Sequence, residues 1–155
     1  MTVSPTKQFE TCLAKFTPEM RSLTRAALAK MRKRLPGAVE LVYDNYNALV
    51  IGFGPTERAS DAVFSLAVYP RWVNLFFLQG ADLPDKQKLL KGAGKIVRHV
   101  VLKDAATLDD PGIEQLIAEA LKRAKPPIDH KGRRKLVIKS ISSKQRHRRP
   151  QNSHT

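Results

Sequence analysis

The sequence predicts an α+β fold, a mostly antiparallel sheet of about five strands packed with N-terminal and C-terminal helices. Three observations predict it. Two apolar runs, Ala62–Tyr69 and Trp72–Leu78, are separated only by Pro70-Arg71, which is a strand–turn–strand signal. Further strand-length runs lie at Val39–Tyr43, Tyr46–Phe53 and Ile96–Leu102. Long stripes at helical spacing stand before and after this block, and strands grouped between terminal helices indicate α+β rather than an alternating parallel fold.

The first stripe is Phe9, Cys12, Leu13 and Phe16 within Thr6–Phe16, one face of a helix. Cys12 lies on that face and reads as a small buried apolar residue. With no His or second Cys near it in sequence, nothing marks it as a reactive thiol. Thr17-Pro18-Glu19 opens a second helix: a capping hydroxyl, a proline at the first position, and a carboxylate at the positive helix end. Met20, Leu23, Ala27, Met31 and Leu35 form its apolar stripe. Arg21, Arg25, Lys30, Lys33 and Arg34 form the opposite face, read as solvated, with anion binding as the alternative. Pro36-Gly37 ends the helix.

Val39–Tyr43 and Tyr46–Phe53 form a hairpin around Asp44-Asn45. In the central pair neither strand has a clean polar face, whereas a sheet solvated on one side alternates apolar and polar residues. The second face is therefore covered, by helices or a partner subunit, or it forms an apolar groove holding Tyr69, Trp72, Asn74 and Phe76. Pro84–Leu90 reads as a short helix capped by Asp82. Asp110 and Pro111 open the last helix, whose stripe of Ile113, Leu116, Ile117, Ala120, Leu121 and Ala124 runs to Pro126-Pro127.

These elements define one α+β domain over residues 5–125 and a basic, largely disordered tail over residues 126–155. Net charge is +14, unevenly placed. Residues 1–121 hold sixteen Lys/Arg against thirteen Asp/Glu, or +3, whereas residues 122–155 hold twelve against Asp129 alone, or +11. The tail has one short apolar patch, Leu136–Ile138 with Ile141, too little to order itself. Its cations Arg133, Arg134, Lys135, Lys139, Lys144, Arg146, Arg148 and Arg149 form a candidate nucleic-acid segment, acting through phosphates without sequence readout. The tail carries no aromatic residue, so base stacking is not expected of it. The one cysteine excludes an internal disulfide and fits a reducing compartment. No apolar run approaches the roughly 20 residues that span a bilayer, and the N-terminus lacks a signal-peptide core. The expectation is a cytoplasmic protein without a membrane role.

Catalytic and metal signals are absent. Leu89–His99 contains LKGAGKIVRH, whose Gly94, Lys95 and Arg98 could present N–H groups and cations to an anion. It is no P-loop, because Ile96 stands where Ser or Thr must bind magnesium. His99, His130, His147 and His154 are scattered, and Asp109-Asp110 reads as helix capping. No cofactor is implied.

The strings ELVYDNYNALVIGF, AVYPRWVNLFFLQGADLPDKQKLLKGAGKIVRHVVL and PGIEQLIAEAL resemble the YdhG-like family, a domain of unknown function, over roughly residues 5–125. The basic ending also looks like that of some bacterial members. The resemblance implies helices against an antiparallel sheet. Some members are described as frataxin-like iron chaperones, which depend on an acidic surface. Here the first helices carry Arg21, Arg25, Arg32, Lys33 and Arg34, so the fold is carried over and no metal ligands are. Three functions follow as expectations. The first is a non-enzymatic module binding a small ligand or protein in the sheet groove. The second is a nucleic-acid-associated protein acting through its tail. The third is an enzyme in which Asn74, Lys95 and Arg98 converge. Homodimerisation through an uncovered sheet face would compete with the first and third.

Overall fold

The computed structural model describes residues 3–150. Among the described residues three helices form, the second and third at the caps the sequence predicts and the first at Ser4, a cap that its stripe alone did not mark. Helix α1 (Pro5–Leu13) starts at Ser4, whose hydroxyl accepts from the Lys7 N–H at 3.2 Å. Helix α2 (Pro18–Arg34) starts at Thr17, whose hydroxyl accepts from the Met20 N–H at 3.3 Å. Helix α3 (Pro111–Arg123) starts at Asp110, which accepts from the Gly112 N–H at 2.8 Å. Each cap satisfies an N–H group that the first helical turn leaves open. After α2 the chain reverses through Gly37 at φ +85°, where a Cβ would stand 2.1 Å from the Asp129 carbonyl oxygen. Glycine is required there by both the left-handed backbone and the close passage of the chain that follows α3.

Six strands form one mixed sheet: β1 (Val39–Asp44), β2 (Leu49–Gly54), β3 (Phe64–Val68), β4 (Val73–Phe77), β5 (Arg98–Leu102) and β6 (Lys135–Ile141). Their order is β5-β4-β3-β2-β1-β6, with β1–β6 parallel and the other four pairs antiparallel. Two expectations are corrected. The sheet has six strands rather than about five, and it is mixed. The sixth strand comes from the stretch expected to be disordered, so the sheet extends past the boundary at residue 125. Leu136–Ile138 cannot order itself alone, but β1 offers an open edge and the helices offer an apolar surface. Leu136 and Ile138 pack partly on the core, and Ile128 before them is buried. The ladder shifts between Val42 and Tyr43, leaving Lys139 out of the register. Exposed Lys135 and Lys139 on this edge also discourage pairing with another chain. Residues 151–155, the last of the expected tail, lie outside the described residues.

All three helices pack on one face of the sheet. One row across it reads Val42, Ile51, Leu66, Leu75 and Val100, every member buried with Phe9, Leu13, Met31 and Leu116 in a single core. The other face reads Tyr43, Val50, Ala67, Asn74 and Val101 in one row, and Leu41, Gly52, Ser65, Phe76 and His99 in the next. The lack of a polar face on β3 and β4 is thus explained only in part by helices. The connection before β3 covers some of the second face, with Ala62 3.9 Å from where a Gly52 side chain would begin.

The expected helix over Pro84–Leu90 does not form. The Asp85 carboxylate accepts instead from the N–H groups of Leu89 and Leu90, both at 2.8 Å, and Lys88 takes φ +54°. A short acidic side chain that captures nearby N–H groups competes with the helical ladder. A 3-10 turn at Gly80–Asp82 precedes this loop.

The basic face of α2 is largely neutralised. Arg25 holds Glu10 at 2.7 Å, and Arg34 holds Glu114 at 2.9 Å and Asp109 at 3.1 Å. The hydrogen bond from Lys30 is the chief cause holding the Asp109 carboxyl below its ordinary range. On the sheet, Glu40 is buried and takes a two-pronged contact from Arg32 at 2.8 and 2.9 Å. These pairs serve the fold, and α2 offers little to an external anion.

Candidate functional site

Two hairpin turns lie side by side at one end of the sheet. The β1–β2 turn closes with the Asn45 N–H donating to the Ala48 carbonyl at 2.9 Å. The β3–β4 turn closes with the Tyr69 N–H donating to the Trp72 carbonyl at 2.9 Å. Because Leu49 pairs with Val68, the two turns are neighbours. The segment after β6 then folds back over the first of them. Ser142 N–H donates to the Asp44 carbonyl, and Arg146 N–H donates to the Tyr46 carbonyl, both at 2.8 Å.

Between these three pieces lies a cleft of about 730 Å³. Tyr69 and Trp72 form its floor, stacked with ring centroids 4.9 Å apart and planes at 20°. Trp72 is 42% exposed, and Tyr46 on the facing turn is 49% exposed. Arg71 lines it from the hairpin turn, and Arg146, His147 and Arg149 line it from the C-terminal segment. The Arg146 guanidinium stands over the Tyr46 ring at 5.5 Å from its centroid, a cation–π arrangement. Among the described residues, every one lining the cleft is aromatic, cationic, neutral polar or proline, and none is a carboxylate. The cleft therefore combines flat apolar faces with fixed positive charge.

The C-terminal segment is anchored from below. Arg148, 4% exposed, donates from Nη2 to Asp44 Oδ1 at 2.7 Å and also reaches the Asn45 and Tyr46 carbonyls. Its guanidinium lies over Phe16, 5.8 Å from the ring centroid. Lys15 Nζ holds the other Asp44 oxygen at 2.8 Å. Burial alone would raise the Asp44 carboxyl, but hydrogen bonds from Lys15 and Arg148, with smaller help from Gln145 and Cys12, hold it below its ordinary range. Cys12 feels the opposite effect: burial, then the Asp44 carboxylate, push its thiol up to about 11. Cys12 is buried as expected, but its thiol meets the Asp44 carboxylate and is not wholly among apolar neighbours. A thiol so protonated is expected to react negligibly with a disulfide reagent at pH 8 in the native chain and rapidly after unfolding in urea. Fast native modification would contradict this placement.

The residues singled out from sequence fall into three groups. Tyr69 and Trp72 are brought together, and Arg146 and Arg149 of the tail join them. Asn74 and Phe76 share the sheet face with Trp72 but lie beyond the cleft. Asn74 is 8% exposed, and the Phe76 ring rests against His99 with centroids 5.3 Å apart. Gly94 and Arg98 are brought together, but with the Arg98 guanidinium donating to the Gly94 and Val97 carbonyls. Arg98 pairs with Phe77 and shares its face, whereas Asn74 lies on the other, so the convergence needed for the enzyme reading is missing.

The tail cations divide likewise. Lys135 pairs with Glu57, Lys139 donates to the Glu57 carbonyl, and Arg148 is consumed by its anchor. Arg133, Arg134, Lys144, Arg146 and Arg149 are exposed and make no ion pair among the described residues. No group of three metal-ligating side chains occurs among the described residues, and His154 lies outside them. No helix among them is long and apolar enough to cross a membrane.

Sequence reasoning did not find Tyr46, Arg71 and His147 as site residues. Each sits in a turn or coil and carries no pattern of its own. For Tyr46 and Arg71 the available signal was the turn chemistry of Asp44-Asn45 and Pro70-Arg71. Scans against protein-family models, curated proteins and solved structures return no match for this chain.

Proposed function

We propose that this chain is a non-catalytic binding module that captures a polyanion in the cleft between its two hairpin turns and its C-terminal segment. One observation carries this: the exposed Tyr69–Trp72 stack lies within a rim of Arg71, Arg146, His147 and Arg149 that contains no acid among the described residues. Two expectations, a ligand groove around Trp72 and a polyanion-binding tail, thereby become one site. The fold proposed for residues 5–125 remains YdhG-like, extended here by the strand that follows. Iron handling gains no support from the same geometry, because a hard cation needs oxygen ligands and this cleft offers cations.

The cations act through phosphate or sulfate groups, and binding releases condensed counterions. The test is fluorescence anisotropy of labelled heparin and labelled oligonucleotides with the full chain at 50 and 200 mM salt. Binding is expected to weaken steeply between them. Replacing Arg146 and Arg149 by Ala should weaken it further and reduce the salt slope by about one for each phosphate contact removed. Both residues are exposed, but Arg149 donates to the Lys15 carbonyl at 3.1 Å and Arg146 stands over Tyr46, so a small drop in the unfolding midpoint is expected beside the loss of binding. Equal binding by the double variant, or no binding by either protein, would refute the assignment.

A further inference from the structure

We infer that the cleft takes single-stranded nucleic acid, with an unpaired base stacked on Trp72 and the neighbouring phosphates held by Arg71, Arg146 and Arg149. This deepens the polyanion reading and rests on it. The polyanion reading needs only charge. The arrangement of the rings adds a second requirement.

Trp72 is backed by Tyr69 in a nearly parallel stack, which holds the indole face in place before any ligand arrives. A ring held this way loses little freedom on binding. Trp72 is 42% exposed while stacked, so ring surface remains open to the cleft. Bases in a duplex are already stacked on both sides and cannot reach such a surface without unpairing. An unpaired base can, and proteins that read single strands use aromatic platforms of this kind. A sulfated polysaccharide or a phospholipid headgroup offers no aromatic π-face to stack on the indole, so either would gain less from it than an unpaired base does.

The cations suit the same occupant. Arg71 stands on the hairpin turn beside the stack, while Arg146 and Arg149 come from the facing segment, so positive charge lines both walls. Arg146 over Tyr46 makes a second flat, positively charged surface on that opposite wall. The volume of about 730 Å³ falls in the range of roughly 300–1,000 Å³ that encloses drug-sized ligands, which suits a nucleotide-sized group. Beyond the cleft, β6 runs seven residues, about 20 Å at strand rise, to the exposed Arg133 and Arg134. A strand leaving the cleft along that edge would meet these cations after several nucleotides, within the usual footprint of about 4–16 for a small single-strand binder.

Trp72 is the only tryptophan, so its emission reports on the cleft directly. The full chain is titrated with a labelled twelve-nucleotide thymidine strand, a duplex of the same length, heparin, free nucleoside monophosphate, and vesicles containing phosphatidylserine. Anisotropy and Trp72 emission are read together. The expected result is quenching by the single strand and at least tenfold tighter binding than to the duplex. Trp72→Leu should weaken single-strand binding roughly 5- to 150-fold, the range of losing one base stack. Trp72→Phe should recover most of it, and duplex and heparin binding should weaken less than single-strand binding in Trp72→Leu. If duplex and heparin bind as well as the single strand, Trp72 stays unquenched and Trp72→Leu binds normally, then the stacking inference fails while the polyanion reading stands. Equal affinity for the monophosphate and the strand would overturn the inference in favour of a mononucleotide pocket. Preference for the vesicles would overturn it in favour of a lipid surface. Absence of binding to every probe at 50 mM salt would overturn both.

Discussion

A chain ending at Lys125 is expected to lose its cooperative fold. Such a truncation removes β6 and returns β1 to the edge of the sheet with its outer hydrogen-bonding groups unpaired. It strips buried Ile128 and the partly buried Leu136 and Ile138 from the core. Complete burial of an aliphatic side chain of this size contributes about 1.5–3 kcal/mol. The truncation also removes Arg148 and Gln145 with the rest of the segment that covers Asp44, so the ion pair and hydrogen bonds tying that segment to the β1–β2 turn are lost with it. Together these losses approach the total of roughly 5–15 kcal/mol that holds a domain folded. Near-UV circular dichroism and urea unfolding of the two chains provide the check. An unchanged urea midpoint in the shorter chain would show that the last strand is dispensable. The functional consequence is practical: deleting the basic segment tests the fold and the cleft at once, and only point substitutions separate them.

The reason this dependence was not visible in the sequence is instructive. Helices α1, α2 and α3 were legible because their signals are local: a stripe at 3.6-residue spacing in each, and for α2 and α3 also a capping side chain and a proline at the first position. The first five strands were legible for the same reason, although most of their ends moved, by up to three residues. Strand β6 was not legible. Leu136–Ile138 is a three-residue apolar patch among cations, and composition alone assigns it to disorder. Its order comes from a partner, β1, nearly a hundred residues away, and no local pattern records that pairing. Pro84–Leu90 failed in the opposite direction. Its spacing suits a helix, but Asp85 captures two N–H groups and ends it within a turn.

The site followed the same division. The stack of Tyr69 and Trp72 was half legible, since both residues flank a two-residue turn and alternation puts them on one face. Their rim was not. Charge counting located the cations in the last part of the chain, but it could not say which cations were free. The fold spends Arg148 on Asp44 and Lys135 on Glu57, and it delivers Arg146 and Arg149 to the aromatic floor. The absence of aromatic residues in the tail argued against base stacking only while the tail was considered alone. Once it lies across the β1–β2 turn, it uses the aromatics of Tyr46, Tyr69 and Trp72.

Replacing Arg148 by Met is therefore expected to act on stability and on binding together. Methionine keeps the contact with Phe16 but removes the charge that faces Asp44. The loss should be about 3–5 kcal/mol, because a buried carboxylate is left with one partly exposed lysine. The pH dependence carries a definite sign. Asp44 titrates below its ordinary value in the folded chain, so its contribution is fully present above about pH 4–5 and is lost as pH falls through the depressed value. In the variant this depression shrinks, so less acid stability remains to be lost and the chain is weaker already at neutral pH. Adding Asp44→Leu to Arg148→Met should restore part of the loss, since removing both charges ends the desolvation cost that one alone incurs. The cleft would not recover with it. Arg148 pins the segment that holds Arg146, His147 and Arg149 against the Tyr46 turn, so polyanion binding should stay weak in the double variant even where the urea midpoint rises. If binding returned together with stability, Arg148 would be an ion-pair partner only, and the rim would be positioned by the backbone hydrogen bonds of Ser142 and Arg146 instead.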